Sequence, residues 1–273
     1  MEYKVSNHNN VLHTVTDTDI EEAVKSGEPL PRTIVQAMGK THNDEYLKYL
    51  YPILFHEKNY MRLDAAQGII NLNGRKGLEA LKEKERSMDS SDFENLSSEK
   101  AIFLAMIIRI EEGTEGILRY FRSENGLDIV KYCLLNFYSS GYSFEEEDVC
   151  LISVMLKEFI DKKLKRIKKV TREDWIEFVY FALDSLWVAT IETGVMMQMS
   201  DEASKELVEV FREILVCKAT NDMKELMAFV AMGMRQEYGL EVLRSLKDQA
   251  VRGDARKAYK KALKHFNTTE EEL

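Results

Sequence analysis

The chain has 273 residues and a mass of 31.7 kDa, enough for one large domain or two modest ones. It is 45% hydrophobic and 31% charged, with only 3 prolines and 13 glycines, which excludes a disordered linker protein and argues against a β-sandwich with frequent turns. The net charge of −9, with an isoelectric point near 5.3, argues against a protein whose affinity comes mainly from neutralising phosphates.

Residues 1–16 are expected to form a flexible amino-terminal arm, and they lack the basic and apolar regions of a signal peptide. His8, His13, Asp17 and Asp19 lie in or beside this arm and have side chains that can chelate a metal. Polar chain ends have the same composition without binding any metal. No two histidines or cysteines elsewhere have the spacing of a local metal site, so we expect no metal and no cofactor.

The apolar stretches at 101–108 and 178–191 are shorter than the roughly 18 residues that a membrane span requires, or are interrupted by a charge. We therefore expect no membrane association. Cys133, Cys150 and Cys217 are odd in number, widely spaced and set in apolar sequence. Such cysteines are typical of reduced thiols in a cytoplasmic protein.

Apolar residues recur at helical spacing from about residue 20 to residue 266, and no alternating pattern competes with them, which predicts about fourteen helices. Thr171 with Asp174, and Ser143 with Glu146, have the spacing of a helix-capping box. Stops are predicted at Asn73–Gly74, and a turn is predicted at Gly113–Gly116 within the third repeat unit. Residues 88–98, which are rich in serine and aspartate, are the expected hinge.

A pattern of small and large residues recurs every 30 to 40 residues along the chain, which indicates an internal repeat. In each unit a helix with small residues is followed by a short turn and a second apolar helix. The four units are 32–50, 62–82, 101–121 and 227–244. In the second unit, Leu63, Ala66, Ile69, Leu78 and Leu81 are predicted to be buried.

These units resemble HEAT-like repeats of the short variety first recognised in phycobilisome lyases, which follow the pattern Arg-x-x-Ala-Ala-x-x-Leu, a turn and Leu-x-x-Leu. The resemblance covers 31–125 and 221–266, whereas 126–217 is helical with degenerate repeats. It implies an all-α fold, namely a right-handed α-solenoid of about seven antiparallel helix pairs over 17–266, followed by an acidic tail at 267–273. Members of the family act mostly as scaffolds, and some are lyases or DNA-repair glycosylases.

Three candidate binding residues lie within or directly after apolar helical sequence, where an ionisable group is costly unless it has a partner. Arg109 follows an apolar run, and Asp184 lies one turn before Trp187 on the same predicted helix face. In one interpretation these side chains face the concave side or bond to the next repeat. In the other, Asp184 and Trp187 form a glycosylase-like site in which a carboxylate and an aromatic ring hold a damaged nucleotide.

Positive charge is concentrated in two segments. Residues 157–169 contain seven Lys or Arg against two acidic residues, and 244–266 contain eight against two. In the first segment the candidate binding residues are Lys162, Lys163, Lys165 and Arg166. They favour either a solvated helix face or an acidic or phosphate-bearing partner. Aromatic residues suited to base stacking are scarce in both segments, which argues against nucleic-acid binding. Because about two repeats of a winding solenoid separate the segments, we expect them to form no continuous groove.

Two other motifs have structural explanations. Met38-Gly39-Lys40-Thr41 resembles the end of a phosphate-binding loop, but Ile34 stands where that loop needs its first glycine. Gly39 is therefore interpreted as a helix end or a close-packing position. The methionines of the carboxy-terminal third suit a core and also suit a peptide-helix groove; they are Met196, Met197, Met199, Met223, Met227, Met232 and Met234.

The leading interpretation is a non-enzymatic HEAT-like scaffold or adaptor that binds a protein partner on its concave surface and needs no catalytic residue. The alternative is a nucleic-acid-binding or DNA-repair glycosylase-like HEAT solenoid, which the chain matches in length and helical class. A lyase acting on a bilin is a third interpretation, which depends on the repeat resemblance alone.

Overall fold

The computed structural model describes residues 1–6, 12–88, 98–123, 130, 145–164, 171–247, 249 and 251–273. Most of the predicted hinge at 88–98 and part of the degenerate region at 126–217 lie outside the described residues. The chain divides into two compact units, residues 1–117 with 140–142 and residues 118–139 with 143–273. Each unit is described by itself.

The described residues form twelve α-helices and two short 3₁₀ helices, Asp44–Tyr46 and Pro52–Phe55, so the predicted all-α class is confirmed. None of these helices is both long enough and apolar enough to cross a membrane. The α-helices are α1 (Asp17–Ser26), α2 (Arg32–Gly39), α3 (Leu47–Leu50), α4 (Asn59–Ser87), α5 (Ser98–Phe121), α6 (Glu146–Leu164), α7 (Arg172–Glu192), α8 (Val195–Gln198), α9 (Asp201–Val216), α10 (Asn221–Gly233), α11 (Gln236–Lys247) and α12 (Gly253–His265).

The amino terminus differs from the prediction. Strands β1 (Glu2–Ser6) and β2 (Leu12–Thr16) pair antiparallel, with Tyr3 opposite Val15. The side chains of Tyr3, Val5 and Val15 are buried, and both strands contact α2. The prediction that 1–16 is a flexible arm is therefore wrong for the described residues. Period-two alternation places the apolar residues of β1 on one face, where burial against a helix stabilises them.

In the first unit, α2 and α4 approach so closely that a Cβ added to Gly39 would lie 2.5 Å from the Cα of Gly68. This confirms the close-packing interpretation of Gly39. Helix α4 bends at Asn73, whose backbone is not helical, and α5 bends at Gly113, whose φ is 67°. Each of these long helices is thus a pair of helices joined at a turn, as the sequence predicted at both places.

Two ion pairs in the first unit join residues that are 32 and 37 positions apart, which is within the 30 to 40 residues of the sequence repeat. Arg32 Nε donates to Asp64 over 2.5 Å, and the Arg62 guanidinium donates to both carboxylate oxygens of Glu99. All four side chains are mostly buried. A fork that binds a carboxylate with two hydrogen bonds fixes orientation as well as charge.

The predicted burial in the second repeat unit is correct in part. Ala66, Ile69 and Leu81 are completely buried. Leu63 and Leu78, which were also expected in the core, are half-buried. Ala65 and Leu72 are buried on the same element, so the core-facing stripe of α4 is rotated slightly from the predicted one.

The second unit contains two layers of helices. Helices α6, α9 and α11 contact one another in sequence order, and so do α7, α10 and α12. Ion pairs join the first layer: Lys157 to Glu206, Asp201 to Arg235, and Arg212 to Glu241. Glu146, which begins α6, also accepts hydrogen bonds from Ser200 just before α9. Residues later in one helix pair with residues later in the next, so the helices of this layer are parallel.

Local signals explain where the helices of the second unit begin. The side chain of Thr171 accepts a hydrogen bond from the backbone of Asp174, whose carboxylate accepts one from the backbone of Thr171, so the predicted capping box is confirmed. Ser200 and Thr220 cap α9 and α10 in a similar way. Such caps satisfy backbone N–H groups that a helix leaves unpaired.

Candidate functional site

Helices α7 and α10 lie side by side in the same direction. The ring of Trp187 stacks on that of Phe229, with centroids 5.5 Å apart and planes 26° apart. One turn further along, a Cβ on Gly233 would lie 1.9 Å from Cγ2 of Thr190. The partners in these two contacts are separated by 42 and 43 residues. Because the separation is nearly constant, the two helices are parallel and in register.

Helix α12 continues the layer in the same way. The ammonium of Lys261 lies 5.7 Å from the centre of the Phe229 ring, and the charge of Lys257 acts to lower the pKa of Glu225. Both pairs are separated by 32 residues. We call the outward side of this layer the α7–α10–α12 surface. It comprises Tyr180, Asp184, Trp187, Ile191, Asp222, Glu225, Phe229, Asp254, Lys257 and Lys261.

The centre of the α7–α10–α12 surface is aromatic and partly exposed. Trp187 and Phe229 are half-buried, and Lys261 already places a cation over the Phe229 ring. Ile191, which lies two turns beyond Asp184 on the same side of α7, is 60% exposed. An aromatic pair beside an exposed aliphatic side chain can bury apolar groups of a ligand and can also attract its cations.

The carboxylates around this centre have few compensating charges. Burial raises the pKa of Asp184, which has neither a hydrogen bond nor an ion pair among the described residues. Burial also raises the pKa of Glu225, and Asp254 and Asp222 raise it further, while Lys257 opposes them. The pKa of Tyr180 rises through burial and through the nearby Asp184, Asp222 and Glu225. The α7 and α10 part of the surface is therefore electronegative.

The other layer of the second unit pairs several of its carboxylates, although Glu213 Oε2 on α9 is buried without a hydrogen-bond partner among the described residues. Asp201, Glu206 and Glu241 each pair with a cation on a neighbouring helix of that layer. Arg235 lowers the pKa of Asp201 through the hydrogen bond between them. Within the described part of the chain, Asp184, Asp222 and Glu225 have no such ion pair.

Helix α12 provides the positive end of the surface. Lys257 donates to Asp254 over 2.7 Å, and Arg256 donates to Glu270 over 2.6 Å. Glu270 lies in the acidic segment at 267–273, so this contact links that segment to α12. Lys260 and Lys264 are exposed on α12. Charge on the layer thus changes from negative at α7 and α10 to positive at α12.

The structure places the predicted site residues in different parts of the chain. Asp184 and Trp187 share one face of α7 in the second unit, whereas Arg109 is half-buried on α5 in the first unit. Lys162 and Lys163 belong to the last turn of α6. The remaining two, Lys165 and Arg166, lie outside the described residues. Whether the two basic segments share one groove therefore stays a prediction.

The other chemical motifs have structural roles. Lys40 of the loop-like motif donates from Nζ to the backbone oxygen of Lys4. Asp17 accepts from the amino terminus and from Tyr3, and Asp19 accepts from the backbone N–H of Thr16 in the capping box of α1. Across the described residues, no group of three or more His, Cys, Asp or Glu side chains could hold a metal ion.

The methionines of the last third contribute mainly to the core. Met223, Met227 and Met234 are buried on or beside α10, and Met196 and Met199 are buried at α8. Met197 is 53% exposed. The core interpretation is therefore confirmed for five of these seven residues.

Sequence reasoning missed Tyr180, Asp222, Glu225 and Phe229. A signal was present, because polar and aromatic residues on α7 and α10 recur at three- and four-residue steps between apolar ones. Only the register between the helices shows that the two sets form one surface.

Comparisons with known proteins give no family for this chain. No model of a protein family matches it, and no curated protein matches it. A crystal structure of an engineered protein from the Northeast Structural Genomics Consortium aligns over 91% of this chain and 96% of its own, with 16% identity and a TM-score of 0.34. A likeness at that TM-score supports no conclusion about fold or function.

Proposed function

We propose that this chain is a HEAT-like α-solenoid that acts as a non-enzymatic adaptor and binds a protein partner on the α7–α10–α12 surface. The observation that carries the proposal is the set of carboxylates without ion pairs, among the described residues, around a half-buried aromatic pair on one layer of parallel helices. The fold and the function are supported by separate features of the molecule.

The solenoid proposal is supported by the register of the layers. In a solenoid each helix pair contacts only its neighbours, so equivalent helices stack parallel in two layers. The second unit has parallel helices in two layers, which supports the proposal, with contacts between α7 and α10 at 42 or 43 residues and between α10 and α12 at 32. In such folds one layer lines the concave side, where partners bind. We assign α7, α10 and α12 to that side.

The protein-partner proposal is supported by the chemistry of the surface. Trp and Phe are enriched at the core of protein interfaces, and Trp is among the residue types that contribute most binding energy. Asp184, Asp222 and Glu225 would repel a phosphate backbone approaching α7 and α10. The lysines of α12 form only one edge of the layer, so a nucleic acid would find no continuous positive track across the three helices.

The alternative remains a nucleic-acid or glycosylase-like function, and one observation favours it. Asp184 lies one turn from Trp187, with Phe229 stacked beside it, and a carboxylate next to aromatic rings is suited to hold an extruded cationic base. The surrounding negative charge disfavours the DNA strand that would carry such a base.

A pair of matched variants tests the adaptor function. Ile191→Arg places a bulky charge on the α7–α10–α12 surface, whereas Val216→Arg places the same charge at the end of α9 in the other layer. Both positions are exposed, at 60% and 78%, so folding should be unchanged. We expect a partner captured from native extract by the parent and by Val216→Arg to be lost from Ile191→Arg.

The alternative is tested in parallel with a labelled DNA duplex containing one alkylated purine. We expect no saturable change in fluorescence anisotropy at about 150 mM salt, where phosphate contacts are already weakened. Saturable binding that Asp184→Asn abolishes, together with release of the free base, would replace the adaptor function by the glycosylase-like one.

A further inference from the structure

We infer that the partner segment bound by the α7–α10–α12 surface is a basic amphipathic helix. Its lysine or arginine side chains meet the unpaired carboxylates, and its apolar side chains cover the aromatic pair. This inference rests on the proposed adaptor function and names the chemical class of its partner.

Charge complementarity is the first argument. Asp184, Asp222 and Glu225 each lie close enough to raise the pKa of the Tyr180 hydroxyl. Their negative electrostatic potentials therefore add at this hydroxyl. Asp184 is partly desolvated and has no partner in the described part of the chain, which leaves its charged form unfavourable. A cation from a partner would supply the missing interaction, whereas an acidic segment would add repulsion.

The aromatic pair supplies the second argument. Lys261 shows that the Phe229 ring accepts an ammonium group over its face. Trp187, which binds cations more strongly than Phe or Tyr, is half-buried beside it with no cation over its ring among the described residues. The same rings, with Ile191, offer apolar area to Leu or Ile side chains. A partner that carries both cations and apolar groups satisfies the whole surface.

Dimensions favour a helix as the form of this segment. Asp184 and Ile191 are separated by two turns of α7, or about 10 Å, and packed helices lie about 8–10 Å apart. The side chains of this surface therefore recur at the spacing of helical turns. A helix with apolar residues at i, i+3 or i+4 and i+7 places its anchors at the same spacing.

The charge change across the layer also orients the partner. The carboxylates lie on α7 and α10, whereas Lys260 and Lys264 are exposed on α12. The basic side of the bound helix should therefore lie over α7 and α10, and any acidic residues should lie towards α12.

The experiment uses the full chain and a fluorescein-labelled amphipathic peptide of leucine and lysine, about 18 residues long so that a helix can form. Its control is the same peptide with glutamate in place of lysine. We expect saturable binding of the lysine peptide in fluorescence anisotropy and no binding of the glutamate peptide. Binding of both peptides with similar affinity would overturn the inference, because only apolar contact would then be at work.

Matched neutralising variants separate a specific surface from general attraction to an acidic protein. Asp184→Asn with Glu225→Gln removes two charges from the surface. Glu202→Gln with Glu237→Gln removes two exposed charges from the other layer, where Glu237 Oε1 lies 3.8 Å from Arg235 Nη1. We expect the first pair to weaken binding about tenfold, a change of about 1.4 kcal/mol, and the second pair to change it less than twofold. Equal weakening by both pairs would overturn the inference.

Failure of this inference can be told apart from failure of the adaptor function. If the lysine peptide does not bind but Ile191→Arg still loses the captured partner, the surface binds a protein of another chemistry and only the inference is wrong. If Ile191→Arg retains the partner, the adaptor function at this surface is wrong, whatever the peptide does.

Discussion

Replacing Gly39 by alanine should destabilise the first unit. The added methyl carbon would lie 2.5 Å from the Cα of Gly68, whereas carbon atoms in contact are normally about 3.5–4.0 Å apart. Helices α2 and α4 must therefore separate by about 1 Å or distort. Because the obstacle is backbone and not a flexible side chain, little local relaxation is available.

Helix propensity acts in the opposite direction and sets the size of the net effect. Alanine is favoured over glycine by about 1 kcal/mol inside a helix. Overpacking costs typically about 1–3 kcal/mol, and more where backbone must move. For Gly39 we therefore expect the free energy of unfolding to fall by about 1–2 kcal/mol.

Gly68→Ala is the matched comparison at the same interface. Its nearest obstacle is Leu50 Cδ1 at 3.0 Å, followed by the Gly39 Cα at 3.3 Å. The leucine side chain can rotate, so overpacking and propensity should nearly cancel and the loss should be smaller than for Gly39→Ala. Urea denaturation followed by far-ultraviolet circular dichroism measures both variants. A Gly39→Ala protein as stable as the parent, or more stable than Gly68→Ala, would refute the close approach of α2 and α4.

Three further predictions concern charge and capping. Because burial raises the pKa of Asp184, the stability that its protonated form contributes is present below the ordinary value of 3.8 and is lost as pH rises through the raised pKa. Asp184→Asn should therefore be more stable than the parent at pH 7, and the two proteins should have similar stability near pH 4. The melting temperatures of both proteins at the two pH values test this, and a difference that is the same at both would contradict it. Thr171→Ala removes the capping box of α7 and should lower the free energy of unfolding by about 1 kcal/mol in urea denaturation. An unchanged free energy would show that the cap does not stabilise the protein. Arg62→Ala leaves Glu99 mostly buried without its partner and should lower the free energy of unfolding by roughly 3 kcal/mol in the same assay. Arg62→Lys keeps the positive charge and should recover part of this loss. Equal losses in the two variants would show that the charge contributes nothing.

The helices of this chain were largely predictable because their signals are local. The capping box at Thr171 and Asp174 and the turns at Asn73 and Gly113 depend on residues a few positions apart. Gly39 was also read correctly, since a single glycine at the end of an apolar helix indicates a helix end or close packing.

The amino-terminal hairpin was not predicted, although Tyr3 and Val5 alternate with polar residues. Two strands of five residues give a weak signal, and a two-stranded sheet is stable only when a face packs on another element. That element is α2, which follows β2 by fifteen residues. A tertiary contact therefore decides the structure of these residues, and no local pattern contains it.

The candidate site was predictable only in part, for the same reason. Asp184 and Trp187 are one turn apart on one helix, so their proximity follows from helical geometry. Phe229 and Glu225 join them because α7 and α10 run parallel with a register of about 42 residues. The register between α10 and α12 is 32 residues. A repeat whose length varies by ten residues cannot be aligned from the sequence with the accuracy that a binding site requires.

The two layers of the second unit differ in how their carboxylates are paired. Across α9 and α11, carboxylates and cations one repeat apart are paired, so repeat spacing and ion pairing are compatible in this fold. Across α7 and α10, Asp184, Asp222 and Glu225 all lie close enough to raise the pKa of Tyr180, and burial raises the pKa of Asp184 and Glu225. Stacking alone does not account for that arrangement, because a carboxylate without a partner costs folding free energy. A cationic partner would lower this cost on binding, so affinity should decrease with added salt and decrease again as pH falls far enough to protonate Asp184 and Glu225.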